Sequence, residues 1–197
     1  MKIDYLYHAT RKSNLDSIMK NGIQTKYYGQ VHGRMDYMPP NPAVYLSKFE
    51  HSNNLNTRLF SECKDDDSVI ILKIDITKLD AQKMFPDDAF FYMLDDLYCC
   101  DADEMDSKEK KAFIDDNIDD FMSDFGFSDE IKARTLFKAF LNSDGSMAAY
   151  SKIAKKMAVE YLIGQGEIAY LADISPTAIL GYENYPIYEN KEKALSP

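Results

Sequence analysis

The chain has 197 residues, 45% of them apolar, and 33 Asp plus Glu against 23 Lys plus Arg give a formal net charge of −10. This is the length of one ordinary domain, able to bury about 70% of its unfolded surface without disulfides or a structural metal. The balance excludes a basic phosphate-gripping surface over the whole protein, and no apolar run approaches the ~20 residues of a membrane span.

Met1-Lys2-Ile3-Asp4 and the polar stretch after Tyr5 contain no signal-peptide core, so a cytoplasmic protein is expected. Asp4 to His8 is rich in aromatics and predicts a strand that ends in Ala9-Thr10. A helix follows, with Ser13 as the expected N-cap, Asp16 as the capping-box acid, Leu15, Ile18 and Met19 on one face, and Gly22 as the stop. Residues 24 to 42 read as a loop through Gly29, Gly33, Pro39, Pro40 and Pro42, and so long a loop in a compact domain points to function. Ala43 to Ser47 predicts a short strand and residues 50 to 62 a helix. Val69 to Ile76 is a nearly unbroken apolar, β-branched run that predicts an interior strand.

The charge deficit is local. Sixteen acidic and three basic residues lie between Asp87 and Glu130, a net of −13, which leaves +3 for the rest. The acidic block has helical periodicity, with Ile114, Ile118, Phe121, Met122 and Phe125 in one stripe and Asp115, Asp116 and Asp119 off it. Further helices are predicted over 129–141 and 146–162, the latter from Met147, Tyr150, Ile153, Ala154, Met157 and Tyr161. Gly164-Gln165-Gly166 breaks the pattern. Glu167 to Leu171 and Ala178 to Tyr182 read as the last strands. Strands at both ends around a helical insertion make an α+β plan.

Cys63, Cys99 and Cys100 form neither an even disulfide framework nor a C-x-x-C metal spacing, and His51 does not complete a zinc set. They read as reduced thiols. No G-x-G-x-x-G, Walker loop, H-E-x-x-H or G-x-S-x-G occurs. Asp101, Asp103 and Asp106 lack the glycine and glutamate of a calcium loop. Four residues invite a chemical reading beside a plain one. His8, at a strand end, is either a hydrogen-bonded structural residue or a working one. Tyr45 lies on an apolar strand, where simple packing accounts for it and the residue alone says little. Arg34 is an exposed loop cation or a phosphate contact. Glu167, on a rigid strand just after Gly-Gln-Gly, suits a site carboxylate but also a solvated strand end.

In combination, Tyr7-His8-Ala9-Thr10 with Asn14-Leu15-x-x-Ile18-x-x-x-Gly22-Ile23, then Val44-Tyr45-Leu46-Ser47, then Glu167 with Ile174-Ser175-Pro176 and Ile179, resembles the ADP-ribosyltransferase superfamily. The likeness is to its His-Tyr-Glu, diphtheria-toxin-like branch, covers residues 5 to 47 and 165 to 180, and has Ala9 where that family usually has glycine. It implies a split β-sheet core with helices, in one domain of residues 1–197 with a mostly helical acidic insertion at about 87–145. The co-substrate it implies is NAD. Glu167 would stabilise the developing oxocarbenium ion and accept from the 2′-hydroxyl of the nicotinamide ribose. His8, with Thr10 beside it, would hold the adenosine ribose. Tyr45 would stack on nicotinamide, with Ser47 completing the second motif, and Gln165 would orient the acceptor.

The expected activity is mono-ADP-ribosyl transfer to a protein, as in a toxin, an effector or a phage counter-defence factor. A basic protein acceptor is the expected partner, since the −13 block would repel nucleic acid. The alternative is a catalytically inactive member of the same fold that occupies a basic or nucleic-acid-binding partner through its acidic surface. The block itself reads as a solvated lid, a docking surface or a nucleic-acid mimic.

Overall fold

A computed structural model describes residues 3–27, 42–50, 68–87, 90, 102, 104–143 and 147–185, with the side chains of 147, 148 and 150 excepted. Arg34, His51, the three cysteines and all but the first residue of the helix expected over 50–62 lie outside the described residues.

The fold is α+β. Six strands, β1 (Tyr5–Arg11), β2 (Val44–Ser47), β3 (Val69–Asp75), β4 (Met84–Phe85), β5 (Glu167–Tyr170) and β6 (Ile179–Asn184), form one antiparallel sheet in the order β4-β5-β2-β1-β3-β6. The apolar run of β3 lies between β1 and β6. It sends Ile70, Leu72 and Ile74 to one core, while Val69 and Ile71 pack with Ala9 on the other face. β1 pairs with β3 along its whole length, from Tyr5↔Asp75 to Arg11↔Val69, but with β2 only at Tyr7↔Ser47. The sheet therefore opens between β1 and β2.

The first helix, α1 (Leu15–Asn21), starts later than its sequence suggests. A 3₁₀ turn over Lys12–Asn14 intervenes, so Asn14 and not Ser13 is the N-cap, and Asn14 spends its side chain on the Thr10 hydroxyl at 3.2 Å. Gly22 ends the helix as expected, with φ 79°. Behind it, Ile23 and Ile174 exchange two backbone hydrogen bonds of 2.9 Å, and the Asp173 carboxylate accepts from the Thr25 amide at 2.7 Å and hydroxyl at 2.8 Å.

These bonds to Thr25, the amide's first, hold the Asp173 carboxyl below its usual range. A carboxyl whose folded pKa is depressed stabilises fully above its unfolded pKa, and that contribution is lost as pH falls through the folded value. The stability gap between the native chain and Asp173→Asn, measured by urea unfolding, is expected to be constant above about pH 5 and to narrow below about 3.9. A gap that widens on acidification would contradict this assignment.

The acidic block folds as α2 (Ser107–Phe125), followed by α3 (Glu130–Leu141) and α4 (Met147–Gly164). Asp106 caps α2 in a full capping box with Glu109. Ile114, Ile118, Phe121 and Phe125 are buried as the periodicity predicts, and join Phe137, Phe140, Met157 and Tyr161 over Phe85 and Ala169 of the sheet. Phe121 stacks on Phe137 with centroids 4.3 Å apart. Burial of each such ring contributes about 1.5–3 kcal/mol, whereas the i,i+4 repulsions Asp115–Asp119, Asp116–Asp120 and Asp120–Asp124 cost about 0.2–0.5 kcal/mol each. Aromatic packing outweighs the charge, and the insertion is bound to the β4-β5-β2 half of the sheet. Beneath the rings, the Tyr161 hydroxyl donates to buried Asp87 at 2.8 Å. Ala158 and Leu162 of α4 reach the second core, with Leu6, Ile18, Leu46 and Ile168, so this helix ties the two cores together. No helix among the described residues is long and apolar enough to cross a membrane.

Candidate active site

Strand alternation and register decide which side chains can meet. Glu167 pairs with Ser47, Ser47 with Tyr7, and Tyr7 with Lys73, so these four form one lateral row on one face, across β5, β2, β1 and β3. Tyr45 is two residues from Ser47 and pairs with Ala169, which places it on that same face, diagonal to Glu167. His8 and Thr10 alternate to the opposite face, opposite Leu72 and Ile70. The His8 ring nevertheless reaches across the opening between β1 and β2, where Nδ1 lies 2.9 Å from the Tyr45 carbonyl oxygen. The structure thus brings Tyr45, Ser47 and Glu167 together, and joins His8 to them through the gap and not through a shared face.

Glu167 is positioned by a folded corner. The Gly166 carbonyl accepts from the Lys48 amide at 2.7 Å, which fastens the residue before β5 to the residue after β2. Gly166 has φ 93°, and an added Cβ would stand 2.9 Å from both Lys48 Cε and Phe49 Cδ2, so only glycine fits this turn. Lys48 Nζ donates to the carbonyls of Ile163 (2.5 Å) and Gly164 (3.3 Å) at the end of α4, where a cation is favoured, and lies 4.8 Å from the Phe49 ring centroid. Ser47 is fully buried and its hydroxyl accepts from the Phe49 amide at 3.0 Å. Ser47 is therefore part of the scaffold under the corner.

Two expected site residues carry structural bonds. The Gln165 side-chain amide donates to the Asp124 carbonyl near the end of α2, which ties the Gly-Gln-Gly segment to the insertion. Thr10 is buried and accepts from Asn14. Tyr45 is half-buried and packs against the aromatic core of the insertion. Beside the row, Tyr7, Glu50, Ile71, Lys73 and Glu183 line a recess of about 150 Å³.

Tyr7, Lys73 and Lys48 were not evident from the sequence as site residues. Tyr7 precedes the more conspicuous His8, and only the register puts it and Lys73 in line with Glu167. The arrangement can do one thing chemically: a half-exposed carboxylate fixed at a strand start, on the face that also carries Tyr45, can stabilise a transient positive charge on a group lying against the sheet. Comparison with protein-family models, with curated proteins and with solved structures finds no match.

Proposed function

We propose that the chain is an NAD-dependent mono-ADP-ribosyltransferase that modifies a protein, with Glu167 as its catalytic carboxylate. The observation that carries this reading is the adjacency of the three motif-bearing strands, β1, β2 and β5, in a sheet that opens between β1 and β2. An ADP-ribosyltransferase-like split sheet is the finer fold this supports. A dinucleotide lying along the opening meets His8 at the gap and Tyr45 and Glu167 on the face beyond it. The bond between nicotinamide and C1′ of the ribose breaks with its electron pair passing to nicotinamide. Charge then develops on the ribose ring, and Glu167 stabilises it while accepting from the 2′-hydroxyl. An acceptor side chain attacks C1′ and releases a proton. Tyr45 stacks on the leaving nicotinamide, and the basic protein acceptor faces an insertion whose Asp115, Asp116, Asp119 and Asp120 are all exposed.

NAD is expected to raise the melting temperature of the full chain by several degrees at saturation, and His8→Ala to require at least tenfold more NAD for the same shift. No shift with the native chain would overturn the reading. The anchoring of Gln165 to Asp124 favours the second reading, an inactive binding protein of the same fold that works through its acidic surface, and the absence of any shift with NAD would mark it.

A further inference from the structure

The acidic block is not acidic throughout. Between the N-terminal half of α2 and the C-terminal two thirds of α3 runs a groove of about 370 Å³ lined by Lys110, Lys111, Ile114, Asp115, Arg134 and Lys138, together with Ser107 and Asn142. Its charged lining is four cations against one carboxylate, Lys110 and Lys111 from the acidic block itself and Arg134 and Lys138 from the helix that follows it.

Helix stability accounts for only half of this set: Arg134 pairs with Glu130 at i,i+4 and Lys138 lies in the last turn of α3, where a cation is favoured, whereas Lys110 and Lys111 gain nothing of the kind. Lysines in the first two turns of a helix oppose the macrodipole, and a Lys111–Asp115 pair at i,i+4 has the less favourable orientation. Lys111 and Lys138 are exposed, Lys110 is half-buried, and none of the three forms an ion pair among the described residues. Arg134 differs. Its Nε donates to Glu130 at 2.7 Å and its Nη1 to Asp115 at 2.5 Å, bonds that keep it firmly charged and fix the guanidinium in one place. Its Nη2 donates to no described residue. A fixed guanidinium with three lysine ammonium groups around it, over an apolar floor at Ile114, matches an anion with several oxygens.

We infer that the groove between α2 and α3 binds a small phosphorylated molecule, its phosphoryl oxygens held by Arg134, Lys110, Lys111 and Lys138. The size limit follows from the surroundings. Asp116, Asp119 and Asp120 continue along α2 within a few turns, and over about one Debye length of ~8 Å they repel any anion long enough to leave the groove. This site is separate from the sheet face that bears Glu167.

The test is calorimetric titration of the full chain with inorganic pyrophosphate at about 150 mM salt. Binding is expected for the native chain, with at least tenfold weaker binding in Lys110→Glu/Lys138→Glu and unchanged binding in Lys155→Glu/Lys156→Glu, which alters the same charge on exposed α4 positions. Should the double variant misfold, Lys111→Gln and Lys138→Gln, which remove one charge each, give graded losses. The inference is overturned if the native chain shows no binding or if the Lys155/Lys156 control loses as much. It is also overturned if a single-stranded oligonucleotide binds more tightly than pyrophosphate.

Discussion

Glu167→Gln is expected to lower nicotinamide release from NAD by at least a hundredfold while the melting temperature stays within about two degrees of the native value. The substitution keeps the shape of the side chain and its strand position at the start of β5, opposite Ser47, and removes only the charge. A single electrostatic stabiliser of a developing charge in a protected site contributes about 2.7–4 kcal/mol, which is a factor of 10² to 10³ in rate. Stability changes little because exposed or half-exposed positions away from buried networks usually shift it by about 0.5 kcal/mol or less. NAD binding separates the outcomes further. On the proposed mechanism the charge of Glu167 acts on the transition state, while the glutamine oxygen can still accept from the 2′-hydroxyl, so the NAD dissociation constant in Glu167→Gln should remain within a few-fold of the native one. Native-like turnover in this variant would remove Glu167 from the mechanism. Equal losses in binding and turnover would instead make it a ground-state ligand of the ribose.

The sequence and the structure agree where local pattern decides the outcome. Val69 to Asp75 is an interior strand because an apolar, largely β-branched run broken only by Lys73 before its last residue has almost no polar face to expose, and α2 buries the stripe of Ile114, Ile118, Phe121 and Phe125 that its 3.6-residue period announces. Disagreement falls where distant segments decide. β4 is two residues long, and Met84–Phe85 becomes a strand only because β5 offers Tyr170 and Ala169 as partners. The Ser13 cap gives way to Asn14 because a 3₁₀ turn after β1 delays the first helical turn. For the site, the strands bearing Tyr45 and Glu167 are legible, but their common face is a matter of register. The same register puts His8 on the other face and Tyr7 in the row with Glu167. Gln165 illustrates the limit most plainly: its position two residues before Glu167 suggests acceptor contact, and its bond to Asp124 exists only once α2 ends beside α4.

That meeting of α2 and α4 carries the largest expected effect on stability. Gly126 ends α2 with φ 74°, and an added Cβ would lie 2.7 Å from both the Glu160 carbonyl oxygen and the Gly164 nitrogen. Gly164 in turn admits no Cβ, which would stand 2.9 Å from the Gly126 nitrogen. The obstacles are backbone atoms, so rotamer changes give no relief. Gly126→Ala meets two penalties, about 1–2 kcal/mol for a left-handed alanine and about 1–3 kcal/mol for the overlap, for a total of roughly 2–5 kcal/mol. Gly164→Ala decides between two arguments of opposite sign. Helix propensity alone makes alanine better by up to about 1 kcal/mol, while the backbone contact makes it worse by about 1–3 kcal/mol. The contact should win, and urea unfolding should show net destabilisation; a stabilised Gly164→Ala would mean that the two helix ends do not touch. Because either substitution must first push the same two backbones apart, the double variant is expected to lose less than the sum of the singles. Strict additivity would show that the two glycines act separately, and that nothing at this junction couples the acidic insertion to the segment leading into Glu167.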